Sequence, residues 1–225
     1  MEEAQGATQA RLQGWSVGQA WLMLTVLAVA TPIFASAAAT VSFGVLIAQS
    51  RGGWTPTNRF GSANAATLLR LLLILALPLV PGPEPTPRFA LALAALALDG
   101  VDGWLARRLG LCSDFGAHFD QEVDALFVAM LGLLLLRDGR LGPWILVPGA
   151  LRYAFVLFLA LARPPETRET GTHLGKVICV VVILALMVCL LPAPRIRAPV
   201  ALAATLLLSG SFGVSVWRMY VPRTA

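Results

Sequence analysis

Six of the twelve acidic residues crowd into a short stretch: Asp99, Asp102, Asp114, Asp120, Glu122 and Asp124. On an α-helix, positions 99, 102, 103 and 106 are three, four and seven apart and share one face. That face carries two carboxylates, then Gly103 and Ala106, which are too small to fill the space beside them. On the next helix Gly116, Asp120 and Asp124 share a face in the same way. Asp114 and Glu122 fall off both faces and are expected in solvent. The link between is short, with Gly110 and Ser113 as turn residues, so the two helices are neighbours with their acidic ends at one depth. Four carboxylates brought together cannot all ionise unaided, because like charges raise one another's pKa. Protons or divalent cations must neutralise them. An oxygen-only ligand set suits Mg²⁺, Mn²⁺ or Ca²⁺ rather than Zn²⁺. Carboxylate-held Mg²⁺ is the usual partner of a substrate phosphate, and two ions can clamp a diphosphate and stabilise its leaving oxygen. The chemistry indicated is phosphoryl transfer on a diphosphate-containing substrate. A solvated loop paired with Arg107 and Arg108 would explain one Asp pair. It does not explain two face-matched pairs with small residues on the same faces.

The elements that must position these groups are apolar. Of 225 residues, 57% are hydrophobic and 13% charged, with a mean hydropathy of +0.76. A soluble domain carries about 25% charged residues and under 50% apolar ones, so a soluble enzyme, a secreted disulfide scaffold and a disordered chain are excluded. Cys112, Cys179 and Cys189 imply no disulfide framework. The basic balance, 17 Lys and Arg against 12 acids, suits anionic lipid headgroups. The Arg residues nowhere cluster as a nucleic-acid footprint would. Spans of roughly 20 apolar residues fit at 62–80, 88–108, 114–136, 141–162, 173–192 and 198–220. The fold expected is all-α: a polytopic membrane bundle of six core transmembrane helices plus one N-terminal extra helix. The chain divides at 1–61 (a polar start and the extra helix), 62–220 (the core) and 221–225 (a tail).

Residues 1–18 are polar and expected to be mobile or interfacial, and 20–48 read as one span kinked at Pro32. A competing reading of that segment is a cleaved signal peptide ending at Ala35-Ser36-Ala37; the acidic Glu2 and Glu3 weigh against it. The Pro-rich 81–87 reads as a turn outside the membrane. Short-loop cations set orientation. One end receives Arg51, Arg59, Arg107, Arg108, Arg163, Arg168, Lys176, Arg218 and Arg223, the other Arg88, Arg137, Arg140, Arg195 and Arg197. The heavier end carries the aspartates and is expected in the cytoplasm, the membrane being a bacterial inner (plasma) membrane.

The pattern Asp-x₂-Asp-Gly-x₂-Ala-Arg-x₈-Gly-x₃-Asp-x₃-Asp resembles the signature of the CDP-alcohol phosphotransferase (CDP-alcohol phosphatidyltransferase) family. It is met at Asp99, Asp102, Gly103, Ala106, Arg107, Gly116, Asp120 and Asp124. The resemblance covers the six helices from about 62 to 220. It implies a Mg²⁺ (or Mn²⁺) site of two ions held by Asp99, Asp102, Asp120 and Asp124. It further implies CDP bound against Asp99, Gly103, Ala106, Arg107 and Gly116, with Asp124 as general base. The acceptor hydroxyl would then attack the β-phosphorus of a CDP-lipid and expel CMP. A homodimer is also implied.

Flanking residues fit the resemblance less specifically. Asn64, Thr67 and Arg70 are similar to the family's polar opening of the first core helix, which faces the nucleotide; a plain helix start with a snorkelling Arg reads as well. Arg152 lies mid-segment, where a charge needs a cavity or partner. Gly175-Lys176 resembles the family's Gly-Lys element. Arg152 and Lys176 together could bind an acceptor phosphate, or either could snorkel or pair with a core acid; the phosphate reading favours glycerol 3-phosphate, and inositol phosphate, serine and choline-type alcohols also fit. His118 is expected to pack rather than react. A proton-coupled transporter would spread its acids over several helices near midplane, and a polyprenyl transferase would place two Asp motifs in separate halves of a longer bundle.

Overall fold

A computed structural model of the chain describes residues 2–55, 59–81, 85–109, 113–162 and 173–220; within these, the side chains of 2–9, 85, 101–107, 109 and 173 lie outside the description. The described residues form eight α-helices and no strand. These are α1 (Glu2–Val29), α2 (Pro32–Gln49), α3 (Ser62–Ala76), α4 (Pro85–Leu109), α5 (Asp114–Arg137), α6 (Val147–Ala162), α7 (His173–Leu190) and α8 (Pro194–Tyr220). Among the described residues, five segments are long and apolar enough to cross a membrane: Ala10–Val29, Pro32–Gln49, Ser62–Leu79, Pro143–Ala162 and Pro194–Tyr220. Leu174–Leu190 is apolar but shorter. Their outward faces carry Trp21, Phe34, Leu72, Leu161, Leu206 and other exposed apolar side chains. That surface suits lipid, and the chain is an all-α polytopic bundle.

The six core helices are α3 to α8, but two helices precede them where one was expected. Ala30 takes a left-handed φ of 54°, Thr31 is extended, and Pro32 stands at the first turn of α2. Proline starts a helix without cost there, since its missing N–H would have no intrahelical partner. Pro32 therefore opens a new helix instead of kinking a long one. The result is an antiparallel hairpin, in which Trp15 Nε1 donates to Ser42 O at 3.0 Å and the Trp15 ring meets Phe43 edge-on. The polar start, expected to be mobile or interfacial, is helical from Glu2. In the same way Pro85 and Pro87 form the first turn of α4 instead of belonging wholly to a turn.

Helix α5 is the axis of the bundle. From Ala125 to Leu135 every side chain is buried, and α1, α2, α3, α6 and α7 all pack on it. Close approach depends on small residues, as it does wherever helices meet in lipid. A Cβ on Gly149 of α6 would lie 2.6 Å from the Ala129 Cα of α5, and one on Gly132 would lie 2.9 Å from Ile145 O. Hydroxyls within the apolar helices satisfy themselves on the preceding turn, as Thr40 does on Ser36 O at 2.7 Å and Thr205 on Ala201 O at 2.8 Å. The antiparallel run of α3, α4 and α5 puts the start of α3, the end of α4 and the start of α5 at one end of the bundle.

Candidate active site

The start of α5 is built by a cap. Ser113 is extended, and its Oγ accepts from Gly116 N at 3.0 Å while donating to Trp54 O at 2.7 Å. Asn64, in the first turn of α3, donates through Nδ2 to Phe60 O at 2.7 Å and Trp54 O at 3.1 Å. One loop carbonyl, Trp54 O, thus ties α3 to α5. Gly116 sits against this tie: a Cβ there would stand 2.9 Å from Asn64 Oδ1. Thr67, one turn further along α3, donates to Ala63 O at 3.2 Å. Asn64 and Thr67 are both buried.

Arg70 lies on the same stripe of α3, two turns beyond Asn64, and is fully buried. Its Nη1 donates to Asp99 Oδ1 at 2.7 Å and to Asp120 Oδ1 at 2.9 Å. Its Nη2 donates to Asp124 Oδ1. One guanidinium thereby gathers carboxylates from α4 and α5, and the oxygens that Asp99, Asp120 and Asp124 offer all lie within 4.8 Å of one another. The three carboxylates are each about a quarter exposed (25%, 25% and 24%) while the arginine side chain is sealed. The cluster is open on one side and braced from beneath. Helix α7 packs on both α4 and α5, so it forms a further wall. Of the other expected site residues, Asp102, Gly103, Ala106 and Arg107 lie outside the described side chains, although α4 is helical through all four.

A family model described as CDP-alcohol phosphatidyltransferase matches residues 60–217. The chain belongs to the CDP-alcohol phosphatidyltransferase family. No solved structure matches it. Membership carries the transfer of a phosphatidyl group from a CDP-alcohol, within a family that generally depends on divalent metal. The match begins just before α3, so α1 and α2 lie outside it.

Two expectations need correction. Glu122, expected in solvent, is 1% exposed, because α1 covers that side of α5. Ser16 of α1 donates to Glu122 Oε1 at 3.3 Å, and the same hydroxyl lies 3.0 Å from His118 Nε2. The His118 ring meets Trp15 edge-on. Arg152, expected to await an acceptor phosphate, instead donates from Nη2 to Glu122 Oε1 at 3.2 Å. Residue 122 is two positions from both 120 and 124, about 200° round the helix from each. Arg152 is therefore drawn to the side of α5 away from the aspartates. Lys176 is exposed on the first turns of α7, at the aspartate end.

The Arg152–Glu122 pair gives a first expected outcome. Arg152→Ala strands a buried carboxylate, which typically costs about 3–5 kcal/mol and should lower the thermal midpoint by roughly 10 °C. An Arg152→Leu, Glu122→Leu double variant should recover most of that loss. Thermal unfolding of the purified variants decides; a stable Arg152→Ala that only raises acceptor KM would return Arg152 to the acceptor site.

Proposed function

We propose that this chain transfers the phosphatidyl group of a CDP-lipid such as CDP-diacylglycerol to the hydroxyl of a small alcohol and releases CMP. The observation that carries the reading is the meeting of Asp99, Asp120 and Asp124 at one partly exposed point. The donor set fits a hard divalent cation. It is all oxygen, compact, and formally −2 once the Arg70 charge is set against the three carboxylates. That charge balances one Mg²⁺ or Mn²⁺; a second ion would draw on Asp102 and on the donor's own phosphate oxygens. Bound there, the metal would supply charge stabilisation to the diphosphate and to the departing CMP.

The chain's own residues do the rest. Asp124 Oδ takes the proton of the acceptor hydroxyl as its oxygen bonds to the β-phosphorus and the bond to CMP breaks. Arg70 holds the three carboxylates in one orientation. Gly103 and Ala106 would leave room for the nucleotide and Arg107 would meet it, as the family's pattern implies, while Gly116 lets Asn64 pack close and so, with Thr67, shape the edge of the pocket. Lys176, at the same end of the bundle, offers a cation to a phosphorylated acceptor. Glycerol 3-phosphate is the favoured acceptor, ahead of inositol phosphate, serine or a choline-type alcohol. The setting is a bacterial inner membrane with the aspartates on the cytoplasmic side.

The test is to incubate purified protein with CDP-diacylglycerol, Mg²⁺ and each alcohol while measuring CMP. Release is expected only with metal present, and glycerol 3-phosphate is expected to be the best acceptor. Turnover in excess EDTA would contradict the metal site. Preference for an unphosphorylated alcohol would remove the role given to Lys176.

A further inference from the structure

At the far end of the bundle a cavity of about 520 Å³ opens between the end of α5 and the α7–α8 link. Asp138, on its wall, follows Asp124 by fourteen residues along α5 and its C-cap, which is about 21 Å of helix. Three arginines line the cavity with Asp138: Arg88, Arg140 and Arg197. Arg88 is only 6% exposed and donates to Asp138 Oδ2 at 2.7 Å and to Val80 O at 3.1 Å. Arg140 Nη1 donates to Leu190 O at 2.6 Å. Arg197 donates from Nε to Cys189 O at 3.0 Å and from Nη2 to Leu191 O at 3.1 Å. Both thus cap the carbonyl end of α7, a favourable place for cations.

Capping does not use these groups up. Arg140 Nη2 and Arg197 Nη1 make no hydrogen bond among the described residues, and Asp138 is shared among Arg88, Arg137 and Arg140. Two partly exposed guanidiniums with spare forked donors on the wall of one cavity suit a phosphate. Pro192 and Pro194 line the cavity too, and Leu79 and Ile196 are exposed close by in sequence. Such apolar surroundings at a bundle end favour a phosphate that arrives attached to acyl chains.

We infer that this cavity is a second, non-catalytic site that holds the phosphate of an anionic phospholipid in the leaflet opposite the aspartates. The inference does not depend on the transfer reaction proposed above. It is tested on the full chain in detergent micelles by native mass spectrometry, with phosphatidylglycerol or phosphatidylcholine added. Wild-type protein should retain phosphatidylglycerol about tenfold better, and an Arg140→Gln, Arg197→Gln variant should lose that preference. Glutamine keeps an amide donor for the α7 carbonyls, and an unchanged thermal unfolding midpoint serves as the folding control. Equal retention of the two lipids by wild-type protein would overturn the site without recourse to any variant. An undiminished preference in the folded double variant would move the binding elsewhere and equally overturn it. Displacement of the lipid by millimolar inorganic phosphate would make the ligand a soluble anion instead of a lipid.

Discussion

Asp124→Asn is expected to slow CMP release by about 10²–10⁴-fold while weakening CDP-lipid binding far less. The substitution keeps size and shape, so it removes a proton acceptor and a charge without opening a cavity. Asp124 is about a quarter accessible, as Asp99 and Asp120 are, with one oxygen engaged by Arg70. A base contributes mainly in the transition state, where the hydroxyl proton is in flight, so the loss should fall on kcat. Asp99→Asn and Asp120→Asn should behave differently. Both meet Arg70 Nη1 and both are proposed as metal ligands, Asp99 lying against CDP as well, so their loss should weaken metal and CDP-lipid binding together with the rate. The comparison needs a steady-state assay for CMP and a direct binding measurement with CDP-lipid. If Asp124→Asn loses binding and rate in the same proportion as Asp99→Asn, Asp124 is a ligand and the base lies elsewhere.

Why the two acidic faces could be read in advance, and their keystone could not, is a matter of range. Helical periodicity is local: residues 120 and 124 share a face whatever else the chain does, and Ser113 marks the start of that helix through its own hydroxyl. Arg70 lies 29 positions from Asp99 and 54 from Asp124, and only the packing of α3 against α4 and α5 brings it there. A signal was available. Arg70 is the only charge in the 62–80 segment, and a lone intramembrane charge requires a partner. Asn64, Thr67 and Arg70 also fall on one helical stripe, which aims the arginine at whatever the stripe faces. The burial of Glu122 is hidden from the sequence for the complementary reason. Its burial depends on α1, a helix outside the matched core whose polar opening gives no sign of docking. Pro32 reads two ways because proline breaks a helix interior yet opens a helix end, and the left-handed Ala30 that decides between the two leaves no compositional mark.

Arg70→Ala is expected to make the protein's stability depend on metal. In the wild-type chain the guanidinium is bonded to all three carboxylates, so the cluster carries its own partial counter-charge. Removing that charge leaves three carboxylates with oxygens within 4.8 Å, and like charges at such range in a low-dielectric setting repel strongly. In EDTA the variant should melt roughly 10 °C below wild type. Added Mg²⁺ should restore much of the difference, because a divalent ion supplies the missing charge to the same oxygens. Wild-type protein should respond to Mg²⁺ much less. Arg70→Lys should fall between, since an ammonium replaces the charge but cannot bridge three acceptors with a planar fork. Activity at saturating Mg²⁺ should remain well below wild type in Arg70→Ala even where stability is restored, because the carboxylates lose the brace that orients them from beneath. Thermal unfolding across a Mg²⁺ series, read beside CMP release, separates these effects. An Arg70→Ala variant as stable as wild type in EDTA would mean that the cluster is neutralised by protons, and that Arg70 fills space instead of balancing charge.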